Sequence, residues 1–194
     1  MASELQPLSL LFQNRLFRIP DYQRGYAWQQ PQLTDFWDDL INLQDGRYHY
    51  TGLLSLKNLK SSEATSWGSD LWMVSKGFKP CHIVDGQQRL TTIVIMLNAL
   101  KNKITTGKKQ LIDNYLVTKN NVCRFIYSDT NGNSYRFFMK YIIGGTNILP
   151  FTSTIYTANL KYASRFFDER FSELKPKDLK EFQEKLLTAL VFDT

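Results

Sequence analysis

The sequence predicts an α+β domain, on three observations. Residues 81–84 form a short apolar run that meets Asp85-Gly86 and opens into the apolar segment 90–100, the outline of a strand feeding a polar turn into a helix. Strand-length apolar runs also occur within residues 8–19 and 50–56. From Tyr135 onward the apolar residues recur at helical spacing, so the back of the chain reads as mainly helical. With 194 residues, 43% hydrophobic and 14% aromatic, the chain can build one good-sized core, or one core with an appended subdomain.

Taken in order, residues 8–19 end in a short strand that Pro20 stops, and residues 21–28 form an ordered loop. Pro31 suits the first turn of a helix whose stripe is Leu33, Phe36, Trp37, Leu40 and Ile41. Residues 50–56 form a strand. The polar, Ser- and Lys-rich stretch 57–77 reads as a mobile hairpin excursion that returns to the strand at 81–84. The helix that follows is apolar on almost every side, which places it at the centre of the domain. Residues 123–127 form a short strand, and a turn covers 129–133. Helical stripes then run through Tyr135, Phe138, Met139, Ile142 and Ile143, through Tyr156, Leu160, Ala163, Phe166 and Phe167, and through Leu179, Phe182, Leu186 and Leu190. The apolar run 190–192 ends without a closing signal, so the chain reads as truncated from a longer protein.

No stretch reaches the roughly 18 unbroken apolar residues of a membrane span. Met1 to Gln6 lacks the pattern of a secretory signal. The expectation is a soluble, cytoplasmic protein with no membrane partner. Cys81 and Cys123 are far apart, without metal-ligand spacing, and read as reduced, buried and structural; His49 and His82 read as structural too. A net charge of +6 permits an acidic partner such as nucleic acid, but Lys101, Lys103, Lys108 and Lys109 read as a solvated surface.

Two stretches carry candidate chemistry. In Asp85-Gly86-Gln87-Gln88-Arg89-Leu90-Thr91-Thr92, Gly86 lets backbone approach a ligand, and the helix start presents free N–H groups. Arg89 offers a planar fork for phosphate, Gln87 and Gln88 can bind phosphate, ribose or water, and Thr91 and Thr92 add hydroxyls. The same residues also fit a ligand-free reading, in which Asp85 and Gln88 form a capping box and Arg89 an ion pair. The second stretch, residues 20–28, gathers Tyr22, Tyr26 and Trp28 around Arg24 and Asp21. It suits base stacking or an aromatic plug at a domain edge.

Together the two stretches resemble the N-terminal domain family of GmrSD-type modification-dependent restriction enzymes. Its hallmarks, Ile-Pro-x-Tyr-Gln-Arg-x-Tyr-x-Trp and Asp-Gly-Gln-Gln-Arg-Leu-Thr-Thr, stand intact at 19–28 and 85–92. The likeness covers residues 8–105 well and the helical remainder loosely. It implies a ParB- and sulfiredoxin-like fold: a small mixed sheet with a buried helix after the Asp-Gly-Gln-Gln-Arg turn, and a ParB-like nucleotide-binding core at 8–110. A mainly helical extension would follow at 111–194. It implies that Asp85, Gly86, Gln87, Gln88 and Arg89 form the catalytic, phosphate-binding wall, with Thr91 and Thr92 beside them and Tyr22, Gln23 and Arg24 opposite. Arg89 and Arg24 would take phosphate charge, and Asp85 would hold magnesium or orient water, with Gln87 or Gln88 positioning it.

The function implied is binding and hydrolysis of a nucleoside triphosphate with Mg2+, regulating DNA cleavage in a restriction and phage-defence protein. DNA and a nuclease domain, in cis or in a partner subunit, would be its partners. Where sulfiredoxin carries a cysteine this turn carries Gln87 and Gln88, so redox repair is not expected. The family's usual nuclease domain and its Phe-x-x-x-Asn-x-x-Gly segment are not in these residues. Two rivals predict different behaviour: a DNA-binding or nicking module without nucleotide turnover, and a non-catalytic interaction domain.

Overall fold

The computed structural model describes residues 4–118, 122–130 and 132–194. In chain order its elements are β1 (Glu4–Pro7), α1 (Leu8–Leu11), β2 (Arg15–Ile19), α2 (Gln30–Ile41), β3 (Tyr50–Asn58), α3 (Leu71–Ser75), β4 (Lys79–Asp85) and α4 (Gln87–Lys103). The second half adds α5 (Lys108–Leu111), β5 (Phe125–Tyr127), α6 (Asn133–Phe137), α7 (Ile155–Ser172), α8 (Pro176–Thr188) and β6 (Leu190–Asp193). The helices α5 and α6 each run on into a π-helical turn, Ile112–Leu116 and Phe138–Ile143.

Six strands form one mixed sheet in the order β1-β6-β3-β4-β2-β5. The pairs β1–β6 and β3–β4 are antiparallel, whereas β6–β3, β4–β2 and β2–β5 are parallel. The fold is therefore mixed α and β, as expected. The edges differ from expectation. The short strand expected at the end of 8–19 is β2, and the apolar residues before it include the helical turn α1, since Leu8 and Leu11 bury on one side of a turn. Leu190, expected on a helical stripe, instead opens β6, because α8 stops at Thr188 and Leu190 to Asp193 register with both β1 and β3. The strand β1 carried no sequence signal that we read.

Residues 57–77 do link an antiparallel pair, β3 and β4, yet the excursion is packed down. It holds a 3-10 segment, Glu63–Asp70, and α3, with Ala64 and Met73 buried. The buried Arg18 of β2 pairs with Asp70 and lies 4.9 Å from the Trp67 ring, which in turn stacks on His82. A buried guanidinium needs such partners, and they hold the excursion on the sheet.

At the centre lies α4. Every residue from Leu90 to Leu100 is buried, Asn98 included, and the helix packs against α7. Each fully buried Leu, Ile, Val or Met contributes about 1.5–3 kcal/mol, so the helix axis, and with it the first turn at Gln87, is held firmly. An aromatic cluster ties the outer helices together: Trp37 of α2 stacks on Phe182 of α8 at 4.7 Å and meets Phe171 of α7 edge-on at 5.0 Å. In α2, Pro31 sits in the first turn, as its sequence start predicts, and Gln29 and Gln32 add a reciprocal capping box.

Candidate functional site

The strand β4 ends at Asp85, and Gly86 turns the chain into α4. Gly86 has φ +87°, a left-handed conformation that favours glycine, and a Cβ there would lie 2.9 Å from the Leu53 carbonyl oxygen. Gly86 is itself the N-cap, and no side chain caps the helix. The expected capping box between Asp85 and Gln88 is thus absent. Asp85 belongs to the strand, and both ends of the Gln88 amide are engaged elsewhere. The first turn of α4 therefore has no side-chain cap on its N–H groups.

Gln88 accepts a hydrogen bond from the Ala27 N–H at 2.8 Å and donates one to the Gly25 carbonyl at 3.1 Å. Gln87 donates to the Arg24 carbonyl at 3.0 Å and to Oε1 of Gln23 at 3.1 Å. Gln23 in turn donates to the Val84 carbonyl at 2.8 Å. From α7, Asn159 donates to the Tyr26 carbonyl at 3.1 Å. Three successive loop carbonyls, at 24, 25 and 26, are therefore each taken by a side-chain amide. This is how the ten-residue loop between β2 and α2 is held still: its backbone groups find partners in side chains. Asn159 escaped the sequence reading, since one amide on a helical face has no pattern of its own.

The threonines expected beside the phosphate lie beneath the cleft. Thr91 and Thr92 are 1% and 0% exposed, and their hydroxyls donate to the carbonyls of Gln87 and Gln88 at 2.7 and 2.9 Å. Thr92 also meets the Tyr26 hydroxyl at 2.7 Å, and Thr91 bonds Tyr127. Burial holds the Tyr26 and Tyr127 phenols well above their ordinary pKa, so both remain neutral bonding groups. Tyr22 is 73% exposed and does not line the cleft, unlike Gln23 and Arg24 on the same loop.

What remains is a cleft of about 260 Å3 bounded by Gln23, Arg24, Trp28 and residues 85–89. Asp85, Gly86, Gln87, Gln88 and Arg89 from one sequence stretch and Gln23 and Arg24 from the other are brought together as expected. Arg89 leans across β3: it donates to the Leu53 carbonyl at 2.6 Å, and a Cβ on Gly52 would lie 2.4 Å from its guanidinium. Gly52, with φ +98°, makes the space that lets Arg89 lie across β3. Its signal was a glycine inside a strand pattern.

Within the cleft Gln87 is 6% exposed, and its Oε1 has no hydrogen-bond partner. Its NH2 must face the two acceptors already named, so Oε1 is an acceptor awaiting a donor. Among the described residues, no three of His, Cys, Asp and Glu gather as a metal cage. A single carboxylate at the cleft fits a magnesium ion that takes its other oxygens from phosphate and water, and does not fit a protein-caged ion. Elsewhere, Cys81 and Cys123 are buried free thiols pushed up to about 11 and about 12 by desolvation, which makes them inert at neutral pH. No described helix is long and apolar enough to cross a membrane.

Compared with known families, the chain matches the model of the GmrSD restriction endonuclease N-terminal domain over residues 8–194. The chain belongs to that family, and the match takes in the helical part as well as the two motifs. No curated protein matches the chain.

Proposed function

From that membership, we propose that the cleft binds the triphosphate of a nucleoside triphosphate and hydrolyses it, as the regulatory NTPase of a DNA-cleaving defence protein. The fold would then be used in the ParB-like manner, with phosphate at the turn before the buried helix. The observation that carries the reading is that Arg24, Asp85 and Arg89, from the two separate sequence stretches, border one cleft at the start of α4.

The roles follow from what each group still has free. The Arg24 guanidinium, on an exposed loop position, and that of Arg89 supply positive charge for a polyphosphate. Uncapped N–H groups of α4 add donors in the same place. Gln87 holds the opposite wall in place, its NH2 donating to Gln23 Oε1 and to the Arg24 carbonyl. Asp85 and phosphate oxygens would hold magnesium, which when bound neutralises charge developing on the leaving group. Gln88 is a positioning residue, because both atoms of its amide hold the Gln23–Trp28 loop. Hydrolysis would govern a nuclease carried elsewhere in cis or by a partner subunit, with DNA as the shared substrate.

Phosphate release is the direct test, run with each of the four common nucleoside triphosphates and magnesium, on this chain and on the protein that carries its nuclease. Expected is release that Arg89→Ala abolishes while cooperative unfolding persists. Salt-sensitive DNA binding with no phosphate release would overturn the reading in favour of a DNA-binding module.

A further inference from the structure

A second cleft, of about 230 Å3, opens on the other side of the Asp21–Gly25 loop. Gln23 lines both clefts, so the two meet the same loop at one residue. Neither volume alone reaches the ~300–1,000 Å3 typical of a small-molecule site, whereas together they do.

The two clefts differ in chemistry. The first contains Arg24 and Arg89. The second contains no Lys or Arg; its polar groups include Asp21, Asn133 and Ser134, and its aromatic walls include Tyr135 and Tyr156. Such a lining repels phosphate but suits an uncharged, flat group rich in hydroxyl and amino donors. The walls are also fixed in place. Tyr156 lies against Gly25 so closely that a Cβ there would sit 2.3 Å from its ring, and Asn133 Oδ1 accepts from the Thr152 N–H at 2.8 Å. The Asn133 carbonyl is thereby held, with its NH2 facing away from that bond.

We infer that this second cleft is the nucleoside subsite: the base stacks between its tyrosines while the triphosphate crosses Gln23 into the cleft of Arg24 and Arg89. The inference rests on the triphosphate reading of the first cleft. It assigns discrimination among bases, or between a nucleotide and bare polyphosphate, to Asp21 of the first motif together with residues outside both motifs. Asn133 and Ser134 lie just over forty positions downstream of the Asp85–Thr92 stretch.

The test measures calorimetric affinity, with magnesium, for the four nucleoside triphosphates and for inorganic tripolyphosphate. The proteins are the unaltered chain, Ser134→Trp, which fills the second cleft, and Asp21→Ala at an exposed position. Expected is at least about tenfold tighter binding of the best nucleotide than of tripolyphosphate by the unaltered chain, equivalent to about 1.4 kcal/mol. Ser134→Trp should bring nucleotide affinity down to the tripolyphosphate level and leave tripolyphosphate unchanged. Asp21→Ala should narrow the spread among the four nucleotides. The subsite is overturned if the unaltered chain binds nucleotide no tighter than tripolyphosphate. It is equally overturned if Ser134→Trp leaves nucleotide affinity unchanged or weakens both probes alike. Binding of neither probe by the unaltered chain would instead sink the triphosphate cleft, and the subsite with it.

Discussion

Within the eight residues 85–92, one set faces outward and the other inward. Asp85, Gly86 and Arg89 border the cleft, and Gln87 Oε1 is the one buried member left without a partner. Gln88, Thr91 and Thr92 are bonded into the fold, to the Gln23–Trp28 loop, to Tyr26 and to the carbonyls of their own helix. The difference shows that a compact polar motif between two apolar segments can be half scaffold. Side chains that look like ligand donors in sequence can be the means by which the real donors are held.

The comparison can be broken most severely from the inner side. Replacing Tyr26 with Ala removes a buried ring and its bond to Thr92, and should cost about 3–5 kcal/mol, read as a lowered urea midpoint. Ligand affinity should fall with it as the loop detaches. Alkali attacks the same interior without mutation. Cys81, Cys123, Tyr26 and Tyr127 all have folded pKa values raised by burial, so their stabilisation is complete below the ordinary values of 9.0 and 10.0. Above those values the unfolded chain ionises first. Stability should therefore fall as pH rises from about 9, by about 1.4 kcal/mol per group for each unit past its ordinary value. Denaturation midpoints at pH 7, 9 and 10.5 check this.

Gln88→Ala should sit between the two sides. It leaves the Ala27 N–H and the Gly25 carbonyl without their partner, a loss of about 1–3 kcal/mol. It should weaken phosphate binding only as far as the loop loosens, and added stabilising osmolyte should restore part of that binding. Arg89→Ala should do the reverse. Its bond to Leu53 is partly exposed, so thermal stability should drop by no more than about 1 kcal/mol, while nucleotide binding is lost. Asp85→Asn is the mildest for the fold, within about 0.5 kcal/mol, and should remove magnesium-dependent phosphate release alone. An Asp85→Asn variant that unfolds, or a Gln88→Ala variant of full stability without binding, would erase the division between outward and inward sets.

Much of this was legible in the sequence where one residue type admits one use. Pro31 and the Leu33–Ile41 spacing mark α2, and the uninterrupted apolar run after Thr92 marks a central helix. Gly86 in an Asp-Gly pair marks the turn, and its proximity in space to Gln23 and Arg24 follows once both stretches are read as one family pattern. The remainder depends on tertiary partners. Nothing local shows that Thr92 prefers Tyr26 to a phosphate, that Asn159 grips the loop from a distant helix, or that Leu190 leaves its helical stripe. The strand β6 exists because its neighbours β1 and β3 do, and three apolar residues followed by an aspartate read equally well as a helix end.

That last strand has a consequence for how the molecule is made. Tyr50 of β3 pairs with Leu190 of β6, and Thr194 continues the ladder by bonding Leu54 and Leu56. During synthesis at ~5–20 residues per second, β3 therefore waits roughly 7–28 s with one edge bare before its partner is translated. Throughout that interval the nascent chain offers an unpaired template to any other extended segment, so the ribosome-bound protein is the form most in need of a chaperone.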